Sequence, residues 1–267
     1  MNSDRRVGPS TRSATVVFLD ADNTLWDTDA VFAAAQLQLL QALEDKVGKR
    51  VEATDRVNFV REIDQALAER HHAGLRYPPE LLVKAVAKRL SGAHAAVAVR
   101  SLISDPSLGT ALPDSTILRI AQRFRGSLMV LPELRPGVRT GLAELKGVGC
   151  VNFVLTEGAR EQVAHRLSEH RIDDAIYRVL EAPKHKALYD RVLRRFGGDS
   201  RRAFMVGDQL SRDIAPALAA EINTIYFPGG FRPKWDIASA IRPDFTISNF
   251  KDVPTIVIEK TMPLLRT

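Results

Sequence analysis

A single cysteine, Cys150, stands in the 267 residues, so no internal disulfide can form. Its neighbours Val151, Phe153 and Val154 mark it as an inert thiol on a buried strand. No segment carries the 18 or more consecutive apolar residues of a membrane-spanning helix. The first 13 residues hold Arg5, Arg6 and Arg12 but lack the apolar stretch of a secretory signal, and a cytoplasmic location is expected. Basic residues exceed acidic ones by only 38 to 32, and the excess is spread along the chain. Without a basic stripe, an aromatic-rich basic motif or a zinc-finger spacing, nucleic acid is not an expected partner. Internal repeats and low-complexity segments are missing too, which excludes solenoids and tails as the main architecture.

What is present is an ordinary globular composition, 45% apolar and 26% charged, long enough for one large domain or a core with an inserted module. Residues 1–13 are polar, with Gly8 and Pro9, and read as a disordered tail. Ala14-Thr-Val-Val-Phe-Leu19 is short, β-branched and apolar without alternation, the pattern of a strand covered on both faces. Helical periodicity then takes over: Val31, Ala35, Leu39 and Leu43; Val57, Val60, Ile63 and Leu67; Leu81, Leu82, Val86 and Leu90; and Ile117, Ile120 and Phe124. About a hundred helical residues between two strands far exceed a simple crossover, and they imply an inserted helical domain over 29–131.

After the Pro/Gly cluster Leu131–Gly137, helix and strand alternate. Strands are expected at Cys150–Leu155, Ile176–Leu180, Ala203–Val206, Asn223–Phe227 and Asp244–Ile247, with helices through Leu188, Val192 and Phe196 and through Ile214 and Leu218. The fold class is therefore α/β. A Rossmann-like, doubly wound parallel-sheet core over 14–28 and 132–267 would place its reactive groups at the carboxyl ends of the strands.

Chemistry-bearing residues gather at those ends. Asp20-Ala-Asp22-Asn-Thr24-Leu-Trp-Asp27 puts two carboxylates one residue apart after a buried strand, where their repulsion calls for a cation. A divalent metal would let a carboxylate attack a phosphate; by itself a D-x-D string is more often an Asx-rich turn. Thr156 ends the Cys150–Leu155 strand region, a position also common for turn formers and helix caps. Lys184-His-Lys186 offers a cation before a helix, and either lysine could serve. Gly207-Asp208 leads to Asp213 in the first turn of the next helix, where an acid also serves as a simple cap. His71 and His72 lack partners at ligand spacing and read as surface residues. Trp26 suits substrate contact or packing between domains, and Arg212, Arg232 and Lys234 read as solvated cations.

Taken in order, these four sites resemble the motifs of the haloacid dehalogenase-like phosphatases, over roughly Ala14 to Phe250. The resemblance implies that Asp20 is the nucleophile and Asp22 the general acid/base; relatives that attack carbon lack the second aspartate. It implies that Thr156 and Lys184 hold the phosphoryl group, Lys184 being favoured over Lys186 by its K-x-x-x-x-Y spacing to Tyr189. Mg2+ is the implied cofactor, bound by Asp20, the backbone carbonyl of Asp22 and Asp208, with Asp213 behind them. The helical insert corresponds to the cap called C1, and the partner implied is a small phosphorylated substrate. Glu157 departs from the asparagine often found beside the threonine. A phosphotransferase or mutase fits the same four motifs, and a non-catalytic binding protein on this fold is the rival from another class. Neither the substrate's identity nor the oligomeric state is written in these motifs.

Overall fold

A computed structural model describes residues 14–52, 54–72, 77–230 and 240–261. The expected tail at 1–13 and the candidates Arg232 and Lys234 lie outside these residues. The chain divides into two compact units: one runs to Thr28 and resumes at Glu133, and the other is Asp29–Pro132.

The first unit is a six-stranded parallel sheet in the order β3-β2-β1-β4-β5-β6, with helices on both sides. Its strands are β1 (Val16–Asp20), β2 (Val151–Thr156), β3 (Arg178–Glu181), β4 (Ala203–Gly207), β5 (Asn223–Tyr226) and β6 (Phe245–Thr246). β1 lies centrally between β2 and β4, so both faces of its side chains must be covered. Val17 and Leu19 enter the cluster that includes Leu142, Phe204, Phe227 and Phe250, whereas Val16 and Phe18 enter the one that includes Phe153, Tyr189 and Met205. The four apolar side chains of β1 are fully buried, each removing apolar surface worth about 1.5–3 kcal/mol. Chain order reverses between β1 and β4, which makes their carboxyl ends the crevice of a doubly wound sheet.

Helices α6 (Val138–Gly147), α7 (Arg160–Glu169), α8 (Lys186–Phe196), α9 (Ala215–Ala219) and α10 (Asp252–Thr261) also belong to this unit. α6, α7 and α10 were not distinguished by the sequence reading. α7 commits only Val163 and Leu167 to the core, too few to mark a period. Where the chain leaves and re-enters the unit, the two passes run side by side. Asp27 N–H donates to Glu133 O at 2.8 Å and Arg135 N–H to Leu25 O at 3.0 Å. The insertion is thereby tied off within a few residues of Asp20 and Asp22.

The second unit is helical: α1 (Thr28–Val47), whose first residue belongs to the other unit, then α2 (Arg56–Arg70), α3 (Pro79–Leu90), α4 (Ala95–Ser104) and α5 (Asp114–Ser127). Its own core joins Leu39, Leu40 and Leu43 of α1 to Val60, Ile63 and Leu67 of α2, Val86 of α3 and Ile120 and Phe124 of α5. Four helices were expected and five occur among the described residues. α4 buries only Ala98, Val99 and Leu102, too few large apolar positions to stand out as a stripe.

Candidate active site

The loop after β1 turns tightly: Leu25 N–H reaches Ala21 O at 2.8 Å, and Asn23 takes a left-handed φ of 60°. Asparagine tolerates that conformation better than most side chains, because its short polar group can bond locally. Asp20, last residue of β1, is thus followed at once by a change of direction. Beside it, Gly207 ends β4, and a Cβ there would collide with the Asp213 side chain. Only glycine lets Asp213 fold back from the π-helical turn Leu210–Ile214. Asp213 Oδ2 accepts the Gln209 N–H at 2.9 Å, so the acid does cap its turn, and its other oxygen serves the site.

Asp20, Asp208 and Asp213 each present a carboxylate oxygen within 4.8 Å of the other two, and all three residues are buried. Lys184 is the cation among them: its Nζ donates to Asp20 Oδ1 and, at 2.6 Å, to Asp213 Oδ1. The position of Lys184 follows from the packing of α8. Tyr189 stands edge-on to Phe18 at 5.1 Å, two residues before Asp20, and this contact fixes the helix whose lead-in carries Lys184. Lys186 points elsewhere, exposed and paired with Asp190 at 3.3 Å. Of the two lysines left open by the sequence, Lys184 is the one at the acidic cluster.

Lys184 bonds two of the three acids, and Asp208 receives no hydrogen bond from it. Burial, together with the charges of its neighbours, pushes the Asp20 carboxyl up to about 7, against the pull of Lys184. Asp208 goes up to about 9, through burial first and then repulsion by Asp20 and Asp213. Burial acts against the Lys184 ammonium, but the two aspartates outweigh it and hold its pKa above the ordinary value. Asp208 Oδ1 is buried with no hydrogen-bond partner. An orphaned oxygen in a dense acidic cluster at a strand crevice is a fit for a hard divalent cation, which prefers oxygen donors.

Thr156 ends β2, one residue beyond the register partner of Asp20, and is almost fully buried. Its Oγ1 accepts the Gly158 N–H at 3.0 Å, leaving the hydroxyl proton available to a ligand. Glu157 is half-exposed and pairs with Arg212 at 3.4 Å, so neither side chain of that pair is a lone charge.

The Asp22 carboxylate stands outside the acidic cluster. Its Oδ1 accepts Trp26 Nε1–H at 2.9 Å, Thr28 Oγ1–H at 2.7 Å and Arg166 Nη1–H at 2.9 Å. Trp26 has no exposed surface and joins the apolar core of the first unit. Two arginines escaped the sequence reading. Arg166 is one; Arg135 is the other. The Arg135 guanidinium lies 3.5 Å over the Phe227 ring and donates to the carbonyls of Asn23, Phe227 (3.0 Å) and Pro228 (2.7 Å), clamping the loop after β1 to the segment after β5. Neither falls in a motif, and a lone arginine carries no spacing signal. His71 and His72 stack on each other at 4.3 Å; among the described residues the aspartate trio is the sole group arranged to hold a metal. Burial pushes the Cys150 thiol up to about 11, in keeping with an inert residue.

The family model for a haloacid dehalogenase-like hydrolase matches residues 14–221. Among curated proteins, a glyceraldehyde 3-phosphate phosphatase of Pyrococcus abyssi is 30% identical over 101 residues, 36% of this chain and 42% of that protein. One of the same description from Pyrococcus furiosus is 27% identical over 119 residues, 42% of this chain and 50% of that protein. The chain thus spans half or less of the length of these relatives. Among solved structures, a haloacid dehalogenase-like family hydrolase of Xanthomonas campestris superposes with a TM-score of 0.62 at 19% identity, over 96% of this chain and 100% of that one, a likeness of fold. No described helix is long and apolar enough to cross a membrane.

Proposed function

Because the chain belongs to the haloacid dehalogenase-like hydrolases, we propose that it is a Mg2+-dependent phosphatase acting on a small phosphorylated metabolite through an aspartyl-phosphate. The observation that carries this reading is the buried trio Asp20, Asp208 and Asp213 with Lys184 among them at the β1/β4 crevice. Mg2+ would be held by Asp20, Asp208 and the Asp22 carbonyl, with Asp213 in support, and when bound it supplies the positive charge that lets an anionic nucleophile meet a phosphate dianion. The short, partial kinship with glyceraldehyde 3-phosphate phosphatases favours a phosphorylated compound of a few carbons.

An Asp20 oxygen forms a bond to phosphorus as the ester P–O bond breaks, and the leaving oxygen takes the electron pair and a proton from Asp22. Thr156 Oγ1–H donates to a phosphoryl oxygen. Lys184, already bonded to Asp20, places its charge where the transferred group arrives and screens the repulsion between it and Asp213. In the second half, water attacks phosphorus, Asp22 takes its proton, and the Asp20 carboxylate and inorganic phosphate separate. The helical insert is read as the cap that excludes bulk water during this sequence.

Phosphate release across a panel of phosphorylated sugars, acids, aldehydes and nucleotides, with Mg2+ and with a chelator, tests the reading. Activity is expected only with Mg2+, and Asp20→Asn should lower it by about 10⁴-fold or more. Retention of a substantial fraction in a folded Asp20→Asn protein would remove Asp20 as nucleophile.

A further inference from the structure

The Asp22 carboxylate is held by one of its two oxygens. Three donors converge on its Oδ1, from Trp26, Thr28 and Arg166, and among the described residues no donor reaches Oδ2. Trp26 and Thr28 are near neighbours in sequence. Arg166 comes from 144 positions away, and it is the charged member of the set.

The placement of Arg166 is built into α7. Val163 and Leu167 anchor that helix in the core, and Arg166 and His170 both reach the Trp26 indole, the guanidinium 5.7 Å from the ring and the imidazole stacked at 6.2 Å. Residues 163, 166, 167 and 170 follow the i, i+3, i+4, i+7 rule, so one stripe serves both packing and the Asp22 contact. The Arg166 side chain is about one-fifth exposed and Asp22 nearly half, so the ion pair is partly shielded while Asp22 keeps an open side.

We propose that Arg166 is a positioning residue for proton transfer: by pinning Oδ1 together with Trp26 and Thr28, it leaves Oδ2 as the oxygen that exchanges the proton with the leaving group and then with water. This rests on the reading of Asp22 as general acid/base and adds to it a residue outside the four motifs. Three donors on a single oxygen fix the carboxylate's torsion, and a charge-assisted bond holds that geometry more firmly than two neutral ones. Loss of Arg166 frees the carboxylate to rotate, and a misplaced proton donor harms poor leaving groups more than good ones.

The test compares kcat/KM on two substrates, p-nitrophenyl phosphate, whose phenolate leaves without protonation, and an alkyl phosphate that the unaltered protein hydrolyses. Arg166→Ala should lower kcat/KM on the alkyl phosphate by about 10- to 100-fold and on the aryl phosphate by less than about threefold. Arg166→Lys, which keeps charge and one donor, should recover part of the loss. Thermal melting and Mg2+ affinity of both variants are expected to stay close to those of the unaltered protein. Equal losses on the two substrates, or no loss on either, overturn the proposal. Asp22→Asn separates the two levels: if it fails to discriminate between leaving groups, the general-acid reading itself falls, whereas discrimination by Asp22→Asn but not by Arg166→Ala refutes the role of Arg166 alone.

Discussion

Each unit buries carboxylates, and they are treated in opposite ways. In the helical unit, Glu44 has two hydrogen bonds from Arg56, at 2.9 and 2.6 Å, and a third from the Val51 N–H at 2.8 Å. Those bonds, that from Arg56 foremost, overcome burial and hold its pKa below the ordinary value. Asp64 in the same unit is buried enough for its pKa to rise, yet Tyr77 and Gln36 still donate to it. In the sheet unit, Asp20 and Asp208 are raised much further, and Asp208 keeps an oxygen with no partner at all. Glu44, with its partners complete, belongs to the scaffold. An unpaired buried charge is a cost the fold retains for something that binds there.

The sharpest way to break this contrast is to remove one member from each set and measure stability without metal. Arg56→Ala leaves Glu44 buried and uncompensated, and unfolding free energy should fall by about 3 kcal/mol. Asp20→Asn relieves repulsion on Asp208, keeps an acceptor for Lys184, and should leave metal-free stability unchanged or raise it by about 1 kcal/mol. Denaturant unfolding of both variants decides the matter. A large loss in Asp20→Asn would mean that its charge is structural after all.

A second experiment concerns protons and metal. Both shifted carboxyls of the sheet unit lie above their ordinary 3.8, so the folded metal-free chain holds more protons than the unfolded chain between about pH 4 and about pH 9. Their contribution to stability is therefore full in acid and is lost as pH rises through 7 and then 9. Mg2+ competes with those same protons, so its stabilising effect should be small at about pH 5 and grow toward pH 9. At a hundredfold excess over Kd it should reach about 2.7 kcal/mol, read as a rise in Tm. An equal shift at both pH values would separate the metal from this cluster.

Legibility followed range. Motif residues sit at strand ends, and strands of a buried parallel sheet announce themselves by unbroken apolar runs; Asp20, Thr156, Gly207 and Asp208 therefore all fell next to recognisable strands. The lysine was harder, because Lys184 and Lys186 differ only in which the packing of Tyr189 against Phe18 carries to the site. Arg135 and Arg166 could not be read at all. They act through contacts 112 and 144 residues away along the chain, on a carbonyl and a carboxylate that no local pattern links to them. Short helices such as α4 and α7 failed for another reason, since three or fewer buried positions make no period.

The smallest expected effect sharpens the comparison by showing that charge in the sheet unit is not functional merely by location. Lys186 lies two residues from Lys184, but it is exposed and bonded only to exposed Asp190 one helical turn on. Such a pair contributes about 0.3 kcal/mol at most, and a lysine at the first position of a helix opposes the helix dipole, which offsets even that. Lys186→Met should therefore change unfolding free energy by less than about 0.5 kcal/mol and kcat/KM by less than about twofold. Lys184→Met, by contrast, strips Asp20 and Asp213 of the cation bonded to both and should cost about 100-fold or more in kcat/KM. If the two variants lost activity alike, the cation that matters would belong to the helix start as a whole and not to the one side chain placed between Asp20 and Asp213.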